Sequence, residues 1–141
     1  MRYEECKMLH GNPEWFDGQF IHLPSTKKKA TQEARWVRLN SLGQTVVEFY
    51  LSLKKGLPNR ITWYENLKRW STIAGIETDG ISNKLTRKTW ESWLMFYYPN
   101  RVTEITLSQG HTDITQIRFY VNMPFDDSDK LLMEPYVQGW I

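Results

Sequence analysis

Cysteine is almost absent from this sequence: Cys6 stands alone among 141 residues. A single thiol excludes an internal disulfide framework and a thiolate metal site, and it fits a reducing, intracellular setting. Histidine is scarce as well, and His10, His22 and His111 lack the neighbouring carboxylate pattern of a metal site. No apolar run approaches the ~18 residues of a membrane span, and the chain opens on no signal-peptide pattern. Internal repeats and low-complexity segments are missing too. Nor is there a strong charge imbalance. A net charge of +2 permits nucleic-acid binding without arguing for it, because clustering of the charge decides. What the chain does have is a 40% hydrophobic share and seven tryptophans. That suits one domain with a bulky core or a stacking surface.

Residues 1–9 read as a helix with Met1, Cys6 and Leu9 apolar, stopped at Gly11, Asn12 and Pro13. Arg2 and Glu5 fall one turn apart on it, the spacing of an exposed helix pair. Residues 19–24 and 34–39 alternate as two strands. The polar stretch between them carries Lys27, Lys28 and Lys29 and reads locally as a solvated hairpin tip. Asn40 or Ser41 caps a helix to about Lys55, with Val46, Val47, Phe49, Tyr50 and Leu53 expected on its buried side. Thr62 caps another, in which Trp63, Leu67, Trp70 and Ile73 recur at helical spacing until Gly75. The next helix, 84–98, has Leu85, Thr89, Trp93 and Phe96 on one face, widened by Trp90 and Tyr97. Arg87 lies beside that stripe, where a charge must be paired or look into a site. A short helix over 102–107 ends at Gly110, the place of a left-handed C-cap glycine. Asp126 or Ser128 starts a last helix with Leu131, Leu132 and Met133, interrupted by Pro135. Tyr136, Val137 and Trp140 then give the tail an apolar character.

Between the last two helices, Thr112 or Asp113 can cap a further one with Ile114, Ile117 and Val121 as its apolar stripe. His111 sits just before it and Tyr120 on its flank. On local pattern alone Tyr120 is a core tyrosine with its hydroxyl at the rim. Yet the run Leu107-Ser108-Gln109-Gly110-His111, followed by Tyr120, resembles the end of the tyrosine recombinase (phage integrase) catalytic domain. There a leucine-glycine-histidine turn precedes, at the same spacing, the tyrosine that attacks DNA. The onward run from Asn122 to Lys130 is most similar to archaeal integrases. Arg2 and Glu5 resemble the family's arginine-x-x-glutamate segment. The hairpin resembles the strand pair whose tip carries a catalytic lysine. The row Lys84-Leu85-Thr86-Arg87-Lys88-Thr89 resembles the family's histidine-x-leucine-arginine-histidine-threonine, with Lys84 where most members have histidine.

The resemblance implies an α+β fold, mainly α-helical, with a small antiparallel β-hairpin: an N-terminally truncated recombinase catalytic domain over residues 1–141. It implies Arg2 and Arg87 as the catalytic arginines, His111 as a further hydrogen-bond donor and Tyr120 as the nucleophile. Lys27 best matches the general acid, with Lys28 and Lys29 close enough to compete for that role. Lys84 and Lys88 join those lysines as phosphate contacts. Such a set suits phosphodiester attack, because planar guanidinium forks grip the nonbridging oxygens where charge develops. Tyrosine attack conserves the bond energy in a 3′-phosphotyrosyl ester. No metal and no cofactor is implied. The implied partners are double-stranded DNA and a homo-tetramer on it, in the cytoplasm on host or mobile-element DNA. Residues 126–141 are expected either to dock on a neighbour as a tail or to fold onto their own domain. The alternative function is a catalytically weak DNA-binding remnant or regulator of a mobile element.

Overall fold

In the computed structural model, which describes residues 1–25, 34–111 and 125–141, helices dominate and a single antiparallel hairpin accompanies them. Helix α1 spans Tyr3–Gly11, and Arg2 is its N-cap. Glu5, at the third helical position, takes the Arg2 backbone N–H at 2.6 Å and the Arg2 Nη1 at 3.0 Å. One carboxylate thereby satisfies an orphan helix-start donor and pairs a charge. Strands β1 (Phe20–Leu23) and β2 (Arg35–Arg38) pair with Ile21 opposite Val37 and Leu23 opposite Arg35. The period of two sends Ile21, Leu23 and Val37 inward to full burial. Arg35 shares that inward face. His22 and Trp36 stack on the outer face with ring centroids 4.3 Å apart.

Helix α2 (Ser41–Ser52) starts at Asn40, whose side chain accepts from the Gly43 N–H at 2.9 Å. The amide of Asn40 also donates to the carbonyls of Tyr136 and Gln138, at 2.9 and 3.2 Å, which ties this helix start to the end of the chain. Helix α3 spans Arg60–Ile73. Helices α4 (Leu85–Tyr97) and α5 (Val102–Gln109) are joined by a 3-10 turn at Pro99–Arg101. Asp126 caps α6 (Asp127–Val137), accepting from the N–H groups of Ser128 and Asp129. None of these helices is long and apolar enough to cross a membrane.

The core has two parts. Leu9, Ile21, Leu23 and Val37 form one under α1 and the hairpin, with Val47 and Leu51 of α2 against it. Leu94, Met95, Ile105, Met133, Val137 and Trp140 form the other, where α4, α5 and α6 meet. Each fully buried side chain of this kind contributes roughly 2 kcal/mol by removal from water. Between the two parts, α5 packs on β2.

Several sequence expectations are corrected here. Asn59, rather than Thr62, caps α3, accepting from the N–H groups of Ile61 and Thr62; asparagine is the stronger cap and stands directly after Pro58. The expected buried sides of α2 and α3 are largely open: Val46, Phe49, Leu53, Trp70 and Ile73 are exposed. Periodicity identifies an apolar stripe but not what lies opposite it. In α4 the fully buried positions are Glu91, Ser92, Leu94 and Met95, while Leu85 at the helix start is exposed. That helix is covered on two sides, by α6 and by α5. Pro135 does not interrupt α6. It removes only the bond to the Leu131 carbonyl, on an exposed residue where water can replace it. Within the same chain, residues 127–141 fold onto α4: Val137 and Trp140 are buried, and Tyr98 donates its hydroxyl hydrogen to the Val137 carbonyl at 3.0 Å. The hairpin tip with Lys27, Lys28 and Lys29 lies outside the described residues. So does the expected helix after His111, with Tyr120.

Candidate functional site

The end of α5 organises the site. A helix leaves its last carbonyls without intrahelical partners. Gly110, at φ 69°, takes the left-handed conformation, and its N–H bonds the Leu107 carbonyl while the His111 N–H bonds that of Thr106. This is a Schellman closure, and it explains the glycine. The next carbonyls are met by arginines from three other elements. Arg35 Nε on β2 donates to Ser108 O at 3.1 Å. Arg87 Nη2 on α4 donates to Gln109 O. Arg2 Nη2, at the start of α1, donates to Gly110 O at 3.2 Å. The negative end of the helix dipole favours cations at this place.

Glu5 holds the other side of two of those arginines. Arg35 Nη2 reaches both of its carboxylate oxygens at 2.7 Å, and both side chains are nearly buried. Burial alone would push the Glu5 carboxyl up. The hydrogen bonds from Arg35 and the Arg2 backbone, with both positive charges, outweigh it and bring the carboxyl below its usual value.

Arg87 stands on the opposite wall. Its Nε donates to Gln109 Oε1 at 3.2 Å, and its Nη2 lies 3.3 Å from His111 Nε2. Burial, then the nearby Arg2 charge, lower the Arg87 pKa against the opposing pull of Glu91 and Glu5; an arginine stays charged regardless. Glu91, one turn further along α4, is 1% exposed, and its carboxylate oxygens lie 2.9 and 3.1 Å from His111 Nε2. Gln109 is equally buried, and its amide nitrogen has no hydrogen-bond partner among the described residues.

Of the residues singled out in the sequence, Arg2, Arg87 and His111 come together around the α5 terminus. Lys84 is the residue before α4 and Lys88 lies in its first turn; both are exposed, on the helix side that leads down to Arg87 and Glu91. Lys27, Lys28, Lys29 and Tyr120 fall outside the described residues. Sequence reasoning missed Arg35, Glu91 and Gln109 as members of this cluster. Arg35 carried a legible signal, since strand alternation puts it on the face of Val37. Glu91 sits four residues after Arg87 and shares its helix face, a weaker signal. Gln109 had none beyond its place before Gly110. No family model, curated protein or solved structure matches the chain.

Proposed function

We propose that this chain is the catalytic domain of a site-specific DNA recombinase of the tyrosine recombinase type, with a recombinase-like α+β fold, serving an archaeal mobile element. One observation carries the proposal. Arg2, Arg87 and His111 are far apart in sequence, and the family resemblance names all three; they meet at one helix terminus. Two guanidinium groups and an imidazole, the donor types that a phosphate takes, are thereby gathered at one place. Arg87 engages its protein partners through Nε and Nη2, which leaves its Nη1 hydrogens without a protein acceptor among the described residues.

In the proposed reaction Arg2 and Arg87 hold the nonbridging oxygens of the scissile phosphate as charge builds on them. The Tyr120 hydroxyl gives up its proton to solvent, and its oxygen forms the new bond to phosphorus while the bond to the 5′ oxygen breaks. Lys27 supplies the proton that the leaving oxygen needs. Religation to a partner duplex is the same step reversed. Lys84 and Lys88 contact neighbouring phosphates and set register rather than sequence preference. Exposed Leu131 and Leu132 on α6 support a protein contact in the proposed tetramer on DNA.

The test is a pool of nicked duplexes of randomised sequence, from which a cleaved strand cannot be religated. A covalent protein–DNA adduct is expected, absent from Tyr120→Phe. Arg87→Lys, which loses the planar fork, is expected to form adduct ~100-fold more slowly. DNA binding with no adduct from any duplex refutes the enzyme and favours the regulator.

A further inference from the structure

A cleft of about 190 Å³ lies between β2, α5 and the last residues of the chain, and the proposed reaction uses none of the side chains that line it. We propose that it binds one unpaired nucleotide, with the base stacked on Trp36 and the phosphate on Arg38. Its two walls follow from local periodicity. Trp36 and Arg38 are two residues apart on β2, so they share the outer face of that strand. Arg101, Glu104 and Ser108 recur at three and four residues, so they share one face of α5 and the turn that enters it. Trp140 completes the lining, with its ring centroid 6.1 Å from that of Tyr98 and 6.5 Å from that of Trp90.

The lining is short of acceptors. The Glu104 carboxylate is already taken by Arg101 at 2.9 Å. Arg38 lies over the Phe20 ring at 5.7 Å, and its guanidinium has no ion pair and no hydrogen bond among the described residues. Ser108 Oγ and Trp140 Nε1 are buried, also without a partner among the described residues. Polar groups left in that state carry a free-energy cost until a partner arrives. The ligand must therefore bring acceptor oxygens, and an anion suits Arg38 best. It must also bring a flat ring. Trp36 is 60% exposed, yet His22 at 4.3 Å and Phe20 at 5.6 Å fix its indole from β1. An ordered, open indole is a stacking platform of the kind that takes unpaired bases whatever their sequence. Volume sets the size. A cavity of about 150 Å³ admits a benzene ring, so this cleft suits a single base with its sugar and phosphate outside. A base within a duplex is covered above and below by its neighbours and has no free face for Trp36. Inorganic phosphate lacks the ring, and an uncharged aromatic lacks the partner for Arg38. Binding of this kind requires no strand cleavage, so a chain that forms no adduct with DNA leaves it intact.

The experiment uses the full chain in two titrations. In the first, the nitrogen-15-labelled protein takes up AMP, adenosine or inorganic phosphate, and the Trp36 indole signal, assigned by its loss in Trp36→Phe, reports binding. AMP is expected to bind ~10-fold more tightly than adenosine or phosphate. Trp36→Ala is expected to weaken AMP ~10-fold, Trp36→Phe to restore most of the loss, and Arg38→Met to bring AMP down to the level of adenosine. In the second, fluorescence anisotropy compares a fully paired duplex, one with a single-nucleotide bulge, and one whose bulge lacks its base. A ~10-fold preference for the bulge that carries a base, lost in Trp36→Ala, supports the proposal with DNA as the source of the nucleotide. AMP binding that depends on Trp36 and Arg38, with the three duplexes alike, supports it with a free nucleotide as the source. Failure of both AMP and the bulge to bind overturns it, as does binding unchanged in Trp36→Ala. Phosphate binding as tightly as AMP overturns it too, since that marks an anion site alone. If Trp36→Ala does not fold, the ratio of AMP to adenosine affinity in Arg38→Met decides.

Discussion

Replacing Arg35 by methionine strands a buried carboxylate, and the size of the loss follows from what Arg35 touches. Its Nη2 bonds both oxygens of Glu5 at 2.7 Å, with the two side chains 11% and 10% exposed, and its Nε bonds the Ser108 carbonyl at 3.1 Å. Breaking a buried pair from one side costs about 3–5 kcal/mol. The lower end applies, because Arg2 still reaches Glu5 at 3.0 Å, from a more exposed position. The Ser108 carbonyl left without its donor adds ~1 kcal/mol. The expected loss is therefore ~4 kcal/mol in urea unfolding, or a fall in Tm of roughly 10 °C for a chain of this size. In a Glu5→Gln background no charge is stranded, and the same substitution is expected to cost only ~1 kcal/mol. Acid titration gives an independent check. The Glu5 carboxyl is lowered in the folded state. Its stabilisation is thus complete above the unfolded value of ~4.3 and fades as pH falls through the folded value. Arg35→Met removes the strongest lowering influence and leaves burial, so acid-induced loss must begin at higher pH. A measured cost under ~1 kcal/mol, the level of an exposed ion pair, with an unmoved acid limb, would refute the buried-pair assignment.

Two further substitutions test the joints around this cluster. Gly110→Ala forces a side chain into the left-handed region at φ 69° and sets its Cβ 2.9 Å from the Arg35 guanidinium. The conformation costs ~1–2 kcal/mol and the displaced arginine more, so urea unfolding should show a loss of ~3 kcal/mol that shrinks in Arg35→Met. Asn40→Ala removes the α2 cap and both bonds to the Tyr136 and Gln138 carbonyls. A loss of ~2 kcal/mol is expected, and hydrogen exchange should quicken both at the start of α2 and around Trp140.

What could be read from the sequence, and what could not, divides along a physical line. Local rules carried the strand pair, a cap at Asn40 or Ser41 and the Gly110 terminus, because alternation, capping and a positive φ are properties of a few adjacent residues. Arg87 beside an apolar stripe was legible as a charge needing a partner. Its partners were not, since Gln109 and His111 reach it only once α5 lies against α4. Glu91 escaped for the opposite reason. A glutamate on a helix is normally a surface residue, and its burial follows from a carboxylate–imidazole contact that no periodicity displays. The exposed faces of α2 and α3, with Phe49 and Ile73 in the open, show the converse limit: an amphipathic pattern predicts a need for cover without naming the cover.

The arginine cluster raises a question of charge, because guanidinium groups this close repel one another, and Arg2 and Arg35 both lower the Arg87 pKa. The fold offsets that repulsion in two ways. The carbonyl end of α5 presents partial negative charge to all three, each through its own oxygen. Two buried carboxylates, Glu5 and Glu91, then flank the cluster. The cations can therefore be assembled during folding by the protein's own carbonyls and carboxylates. Among the described residues the three guanidiniums outnumber the two carboxylates, so this group keeps a positive balance. The same accounting explains why the Gly110–His111 turn is the centre of the chain. It closes α5, presents the carbonyls that gather the arginines, and sets His111 against Glu91. A mutation that merely reshaped this turn would scatter charge and imidazole together, even with every charged residue left in place.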